Sequence, residues 1–364
     1  MQIADIVSVI DDFAPPALQE SYDNTGLLIG NNGQEIDGVL VSLDVTEAVI
    51  DEALRKGAGL IISHHPVIFG GIRKLTGANY TERTVLRAIR ENIAVYSAHT
   101  NIDSVWGGVN SRIAQKIGLK EQGILSPSEG VLTKLVVFVP NNYAGKVREA
   151  IFSAGAGHIG EYDLCSFNIE GEGSFRGSEN SDPFTGTVGK IHFEKEVRIE
   201  TVLPKYLEDK VVGDMMKAHP YEEVAYDLYP LSNKWERAGI GVKGELDKAL
   251  DPSLFLRNLK DIFGTHTIRH TPFPEKRIKR VAVCGGSGSS LIKDARRCGA
   301  DIYVSSDFKY HDFFEAGSEM MIADIGHFES EQFTIEIFYE LLTKKFPNFA
   351  VHFSDLNTNP IQYF

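Results

Sequence analysis

Residues 59–66 read Gly59-Leu60-Ile61-Ile62-Ser63-His64-His65-Pro66, an apolar strand that ends in two histidines and a proline. An apolar run of this kind is typical of a strand buried on both faces of a sheet. Neighbouring side chains of a regular strand point to opposite faces, so the two imidazoles converge only where the strand ends. Pro66 favours an extended conformation of His65, which supports such an ending. Two imidazoles at the end of a buried strand therefore indicate a metal site.

Three other polar segments follow predicted strands in the same way. They are His99-Thr100-Asn101-Ile102-Asp103, Phe308-Lys309-Tyr310-His311 and Gly326-His327-Phe328-Glu329-Ser330-Glu331. A helix is predicted over 329–346, which places His327 at its start and Glu331 about one turn further on. Residues four apart face the same side of a helix, so this imidazole and this carboxylate can bind one ion.

Each predicted metal ligand offers a nitrogen or an oxygen atom. The five ligands are His64, His65, Asp103, His327 and Glu331. Five ligands are too many for one tetrahedral ion. They suit a centre of two divalent ions with positions left open for water. A donor set without thiolates favours zinc, iron, manganese or cobalt over copper(I), and the pattern does not choose among these four.

The roles of two further histidines and two polar loops stay open at this point. His99 and His311 are each predicted to be a catalytic acid or base, a sixth ligand, a group that orients a ligand, or a structural residue. The segment Tyr22–Gly26 is either part of the site rim or an ordinary turn. The segment Cys284–Ser290 is either an anion site built from backbone N–H groups or a tight turn, because it lacks the lysine of a P-loop.

Composition limits the class of protein. The chain has 364 residues, enough for two or three domains, and is 43% hydrophobic and 24% charged. Its net charge of −13 and lack of a large basic cluster argue against nucleic-acid binding. Three widely spaced cysteines without a Cys-x-x-Cys pair fit a reducing compartment. With no signal-peptide pattern and no long apolar run, we expect a cytoplasmic protein that acts on a small molecule without membrane contact.

The order of predicted elements indicates an α/β body with an insertion. Helices and buried strands alternate over the first 120 residues and again from about residue 235. Between them the order is β-α-β-β-α-β, the pattern of a ferredoxin-like α+β unit, with a strand over 163–169 and a glycine-rich hairpin over 171–177. We therefore predict a metal-binding body formed by 1–127 and 236–364, with 128–235 as an inserted domain.

These motifs resemble those of the NIF-three-like family, whose members are also described as GTP cyclohydrolase I type 2 homologues. The resemblance covers both outer segments, and 219–227 is similar to the PII/CutA-like insert of the longer members. It implies a dinuclear metal centre held by the five ligands named above. It also implies a toroidal homohexamer whose metal sites face an internal cavity, with inserts that cap the openings.

Three functions are compatible with this pattern. The first is a metal-dependent hydrolase, acting on a purine nucleotide, in which Asp103 and Glu331 hold the ions and His99 or His311 transfers the proton. The second is a non-enzymatic protein that handles metal or regulates a partner through bound metal. The third is an interaction scaffold with a structural metal.

Overall fold

The computed structural model describes all 364 residues, apart from the side chain of Glu121. The helices are α1 (Ile3–Phe13), α2 (Glu47–Arg55), α3 (Tyr80–Arg90), α4 (Thr100–Ser104), α5 (Val109–Ile117), α6 (Ala144–Ser153), α7 (Glu208–Ala218), α8 (Pro252–Phe263), α9 (Ile292–Arg297), α10 (His327–Glu331) and α11 (Thr334–Lys345). None of the helices in this description has both the length and the apolar character needed to span a bilayer.

The strands lie between these helices. They are β1 (Gly26–Ile29), β2 (Gly38–Ser42), β3 (Leu60–Ser63), β4 (Ala94–Ser97), β5 (Lys120–Glu129), β6 (Leu132–Pro140), β7 (Phe167–Phe175), β8 (His192–Pro204), β9 (Tyr226–Leu231), β10 (Lys234–Leu250), β11 (Arg269–His270), β12 (Ile278–Ser287), β13 (Ile302–Ser306), β14 (Met321–Asp324) and β15 (Ala350–Phe353). The chain divides into two compact units, Met1–Pro127 with Arg237–Phe364, and Ser128–Glu236.

The first unit contains two sheets. One has the strand order β1-β4-β3-β2-β15, and the other has the order β11-β14-β13-β12-β10-β5. Strand β15 pairs in parallel with β2, so the end of the chain completes a sheet that begins near its start. Within each sheet the strands nearest the candidate site, β2-β3-β4 and β12-β13-β14, are parallel. Their carboxyl ends are therefore the edges at which ligands bind in such sheets.

A shared apolar core lies between the two sheets. Alternate strand residues such as Val41 and Ile62 join helices α1, α5, α8 and α11 in this core. The intervening residues Leu40 and Ile61 pack with α2 and α3 on the other face of the first sheet. Each of these strands is thus buried on both faces, which explains its continuous apolar sequence.

Helix boundaries in the first unit follow local signals, with one exception. Thr46 accepts a hydrogen bond from the N–H of Val49 and caps α2, as threonine commonly does at the start of a helix. The single helix predicted over 329–346 is wrong, because α10 and α11 are separate. The hydroxyls of Ser330 and Thr334 donate to the carbonyls of His327 and Glu331, and such side-chain bonds compete with the helix ladder.

The second unit is a four-stranded antiparallel sheet with the order β7-β8-β6-β9. Helices α6 and α7 pack on one face of it through a separate apolar core. The glycine-rich hairpin predicted over 171–177 is wrong in position, because β7 continues to Phe175 and the connection to β8 covers 176–191. Gly173 is tolerated in the strand because the carboxylate of Glu196 occupies the space of the missing side chain.

Candidate metal centre

The polar side chains of the first unit meet where the strands of its two sheets end. His64 and His65 follow β3, and Asp103 lies on the short helix that follows β4. His327 and Glu331 occupy the first and last positions of α10, which follows β14. The structure therefore brings all five sequence-predicted metal ligands to one place.

His64 presents a bare nitrogen to this cluster. Its side chain is fully buried, and its Nδ1 lies 3.0 Å from the carbonyl oxygen of Ala98. A carbonyl oxygen only accepts, so Nδ1 donates this hydrogen bond and Nε2 is the ring nitrogen turned towards the cluster. Nε2 lies 3.8 Å from Asp103 Oδ1 and 3.5 Å from Glu331 Oε1. The imidazole is therefore oriented so that Nε2 can bind a cation.

His65 and His327 are oriented in the same manner. Nδ1 of His65 donates to Asp44 at 2.7 Å, and Nδ1 of His327 donates to Asp307 at 2.7 Å. Their Nε2 atoms lie 3.2 Å apart and are 2.9 Å and 3.0 Å from Oε2 of Glu331. Burial by itself lowers the pKa of each imidazole, but the carboxylates raise the pKa of His65 to about 9 and that of His327 to about 11.

Glu331 lies between the imidazoles and is only 3% exposed. Its Oε1 faces His64, and its Oε2 faces His65 and His327. Burial alone would raise the pKa of this carboxyl group, but the surrounding imidazoles hold it well below its usual range. The two oxygens of one carboxylate thus serve two separate groups of nitrogen donors.

The donor set fits a cation because two of its buried ligand atoms have no hydrogen-bond partner among the described side chains. Among the side chains that the structure describes, Nε2 of His64 and Oδ1 of Asp103 are buried without a hydrogen bond. Burial and the nearby charge of Glu331 raise the pKa of Asp103 to about 8. Buried polar atoms are almost always satisfied, so this pair indicates a missing positive partner. Three groups of side chains have ligand atoms close enough to share an ion: His64, Asp103 and Glu331; His65, His327 and Glu331; and His64, His65 and His99.

His99 joins the cluster, whereas His311 does not. The ring of His99 lies 5.2 Å from that of His64 and 5.5 Å from that of His65, measured between centroids. Its Nδ1 donates to Asp23 at 2.7 Å. His311 is exposed and contacts the rings of Tyr310 and Phe314 instead. Of the two histidines predicted to transfer a proton, the structure brings only His99 to the candidate centre.

Sequence reasoning missed three carboxylates that orient the imidazoles, namely Asp23, Asp44 and Asp307. Asp307 directly follows β13 and Asp44 lies two residues after β2, so both stand close to strand ends, where a single aspartate is also common in turns. Asp23 lies in the loop that was open between a rim role and a turn. Burial opposes ionisation of Asp23, but hydrogen bonds from His99 and Thr100 hold its pKa below its usual range.

A cavity of about 510 Å³ opens onto the candidate centre. Tyr22 and Phe69 form part of its wall, with ring centroids 6.3 Å apart, and both rings are more than half exposed. Cys284 also lines the cavity, but burial raises the pKa of its thiol far above its usual range. The centre therefore offers nitrogen and oxygen ligands rather than a thiolate.

The glycine-rich loop after β12 supports the centre by close packing. The N–H groups of Gly285 and Gly286 donate to Asn110 and Ser330, so these two amides are not available to an anion. Gly286 has a φ of +60°, and a Cβ there would lie 2.2 Å from Oε1 of Glu331. Only glycine leaves room for that carboxylate. These contacts favour the tight-turn interpretation for this part of the loop.

The first unit has two sheets flanked by helices, and the ends of their strands share a cluster of histidines and carboxylates. This defines an α/β protein with a candidate metal centre. The chain belongs to the DUF34/NIF3 (NGG1p interacting factor 3) family, whose model matches residues 1–360. The resemblance to NIF-three-like proteins is thus confirmed over the whole chain.

Relatives and solved structures agree with this family. A GTP cyclohydrolase 1 type 2 homolog of Halalkalibacterium halodurans is 41% identical over 88% of this chain and 87% of its own length. The Bacillus subtilis protein of the same name is 38% identical over 98% and 97%. A Bacillus cereus protein related to NIF3 has a TM-score of 0.87 at 37% identity, covering 100% of this chain and 99% of its own.

Proposed function

We propose that this protein is a divalent-metal-dependent hydrolase of a small molecule, with two cations held at the candidate centre. The observation that carries the proposal is the position of Glu331, whose Oε1 faces His64 and whose Oε2 faces His65 and His327. Glu331 would therefore help to hold two ions, one together with His64 and Asp103 and the other together with His65 and His327, and such a pair would supply the chemistry of a two-metal hydrolytic centre.

The ligand atoms divide into two groups of suitable size. One group is Nε2 of His64, Oδ1 of Asp103 and Oε1 of Glu331; the other is Nε2 of His65, Nε2 of His327 and Oε2 of Glu331. A tetrahedral ion with bonds of ~2.0–2.2 Å holds its ligand atoms roughly 3.4 Å apart. The separations of 2.9–3.8 Å between neighbouring donors are close to that value. Zinc, iron, manganese and cobalt all accept this donor set.

Bound divalent cations supply Lewis acidity and lower the pKa of water. The side chains of the protein position the substrate and move the proton. His99 is the residue that we assign to proton transfer, because its ring lies beside His64 and His65 at the cavity wall. Asp23 accepts a hydrogen bond from Nδ1 of His99 and so fixes the orientation of the ring. Nε2 is then the nitrogen that exchanges a proton with substrate.

A purine nucleotide is the substrate that we would test first. The exposed rings of Tyr22 and Phe69 provide flat apolar surfaces next to the centre, which suits a planar heterocycle. The curated relatives carry the name GTP cyclohydrolase 1 type 2 homolog, which also supports a purine nucleotide.

The test is turnover of a nucleotide panel by protein stripped with chelator and then loaded with each of the four metals. We expect hydrolysis that requires metal and that Glu331→Gln abolishes together with metal content. His311→Gln is the matched control, since that histidine is exposed and lies outside the cavity. Wild-type protein that retains its metal but is inert on the whole panel would exclude the nucleotide hydrolase and favour a metal-handling or regulatory protein.

We also propose the quaternary and domain organisation that the family resemblance implies. The second unit corresponds to an inserted ferredoxin-like domain of the PII/CutA type, which its antiparallel strand order supports. The assembly is a homohexamer. Light scattering coupled to size exclusion tests this directly, and a stable monomer or dimer at micromolar concentration would contradict it.

A further inference from the structure

The second unit contains a cavity of about 700 Å³, and none of its lining residues belongs to the candidate metal centre. It lies on the face of the sheet opposite α6 and α7. Val137 and Ile199 belong to the core beneath the helices, so their neighbours Phe138 and Arg198 project to the other face. Residues of the connection 176–191 and of 221–223 complete the walls. The volume lies within the usual range of small-molecule sites, ~300–1,000 Å³.

Aromatic rings form much of this cavity. Phe175 and Phe184 lie 6.0 Å and 6.2 Å from the ring of Tyr221, measured between centroids, and are tilted to it by 60° and 47°. Phe138 adds a fourth ring at the floor. Rings at these distances pack directly against one another and so form a continuous aromatic wall. This wall favours a ligand with an aromatic body that stacks on it.

Two opposite charges project from the floor between these rings. Glu196 and Arg198 are two residues apart on β8 and occupy the same face of the sheet. The carboxylate of Glu196 accepts a hydrogen bond from Tyr221 at 3.0 Å. Arg198 pairs with Glu200 through Nη2, and its Nε is buried without a hydrogen-bond partner among the described side chains. One carboxylate and one incompletely satisfied guanidinium thus face the same space.

One lining glycine, Gly171, leaves part of that space open. A Cβ on Gly171 would meet nothing within 4 Å, and the backbone there is not in the left-handed region. Ile169 and Phe175, which are an even number of residues away on β7, also line the cavity, so a side chain at 171 would project into it. The cavity therefore exists partly because residue 171 has no side chain.

We propose that this cavity binds a small aromatic zwitterion, an amino acid with an aromatic side chain or a close derivative of one. The rings take the aromatic body, Glu196 takes the ammonium group, and Arg198 takes the carboxylate. Ammonium groups gain further from neighbouring ring faces. The site is independent of the proposed hydrolase, because every residue that lines it belongs to the second unit.

Calorimetric titration of the full-length protein with L-tryptophan, L-tyrosine and L-phenylalanine tests the proposal. We expect saturable binding of at least one of them. Tryptamine lacks the carboxylate and indole-3-propionate lacks the amine, so each should bind about tenfold or more weakly than tryptophan. If tryptamine binds as tightly as tryptophan, the carboxylate is not recognised. The ligand would then be a simple organic cation, and the proposal would be overturned.

Two pairs of variants locate the binding. Gly171→Leu places a branched side chain inside the cavity and should weaken binding about tenfold or more. Gly145→Leu, on the exposed side of α6 with nothing within 4 Å, should retain wild-type affinity. Glu196→Gln should weaken the binding of tryptophan about tenfold and leave the affinity for indole-3-propionate unchanged. Glu194→Gln is its control, because Glu194 contacts His192 and does not line the cavity. If none of the three amino acids shows saturable binding, the proposal is wrong. It is also wrong if Gly171→Leu binds with unchanged affinity and has an unaltered melting temperature.

Discussion

At the scale of single residues, the candidate centre depends on how each donor is held before any ion arrives. Four imidazoles direct Nδ1 to an oxygen acceptor, in three cases a carboxylate. This common arrangement leaves Nε2 facing the interior of the cluster. The pKa values of His65, His327 and Asp103 are all raised in the metal-free protein. A bound cation would therefore compete with protons at these three groups.

The first prediction concerns Gly286. Alanine there adds a Cβ 2.2 Å from Oε1 of Glu331 in the wild-type geometry and should reduce bound metal severely. The control is Gly57→Ala, which has a similar φ of +69° and meets nothing within 4 Å. Both variants carry a backbone strain of about 1–2 kcal/mol. Elemental analysis should show metal loss only in Gly286→Ala, and equal metal content in the two would mean that the carboxylate is not a ligand.

The second prediction concerns Asp44, which contacts the imidazole of His65 rather than an ion. Asp44→Asn removes the charge that orients and polarises this imidazole, and should weaken metal binding about 10–100-fold. Asp51→Asn is the control, because Asp51 forms an exposed ion pair with Arg87. Competition with a fluorescent chelator measures both affinities. An Asp44→Asn affinity within a factor of two of wild type would show that His65 needs no such partner.

At the scale of elements, the segment after β15 is attached to the first sheet by acidic side chains. Glu52 on α2 is 2% exposed and accepts hydrogen bonds from the hydroxyl of Ser354 and the N–H of Asp355. Lys56, one turn later, bridges Glu52 and Asp355. Thr358 donates to Asp44 and so reaches the partner of His65. The end of the chain therefore contributes to the positioning of the candidate centre.

The third prediction is the pH dependence of this attachment. Burial opposes ionisation of Glu52, but Asp355, Ser354 and Lys56 lower its pKa below the ordinary 4.5. Because the pKa of the folded state is the lower one, the stabilisation is complete above pH 4.5 and is lost as pH falls through the folded-state pKa. Glu52→Gln should cost about 1–3 kcal/mol at pH 7 and progressively less in acid.

Denaturant unfolding across pH 3–7 measures this difference, with Glu47→Gln as the control for an exposed ion pair. Glu47→Gln should lower the free energy of unfolding by less than about 1 kcal/mol. A Glu52→Gln penalty that grows as the pH falls would have the wrong sign and would contradict the assigned pKa shift.

At the scale of the whole molecule, all five proposed metal ligands and His99 belong to the first unit. The chain leaves this unit at Pro127 and returns at Arg237. These two ends are close together, because a Cβ on Gly239 would lie 2.3 Å from the carbonyl oxygen of Ser126. The first unit can therefore be closed by a short linker.

The fourth prediction follows from that closure. Deletion of 128–236, with a short glycine-serine linker in its place, should leave the metal content per chain unchanged, while the same deletion with Glu331→Gln should contain none. Elemental analysis and circular dichroism check both variants. A soluble and folded deletion variant that binds no metal would show that the second unit is part of the metal site.

Local patterns predicted the residue types of the centre but not its full composition. His64 and His65 could be selected because they directly follow an apolar strand. Asp103 could be selected because it lies in the polar segment after the next strand, and His327 and Glu331 because a spacing of four places them on one side of a helix. His99 and His311 looked equivalent because both follow predicted strands, and only the packing of the elements separates them. The orienting carboxylates were missed, since a single aspartate after a strand is an ordinary turn residue.

Apolar periodicity and the polar residues at strand ends were sufficient to predict the α/β class and the nature of the donor atoms, and the resemblance of the motifs was sufficient to predict the family. They suffice because burial of a strand and the affinity of imidazole for metals are local properties. The tertiary structure decided the separation into two sheets, the choice between the two histidines, the shared position of Glu331 and the cavity of the second unit. Each of these depends on residues up to several hundred positions apart meeting in space, and no local pattern specifies such a meeting.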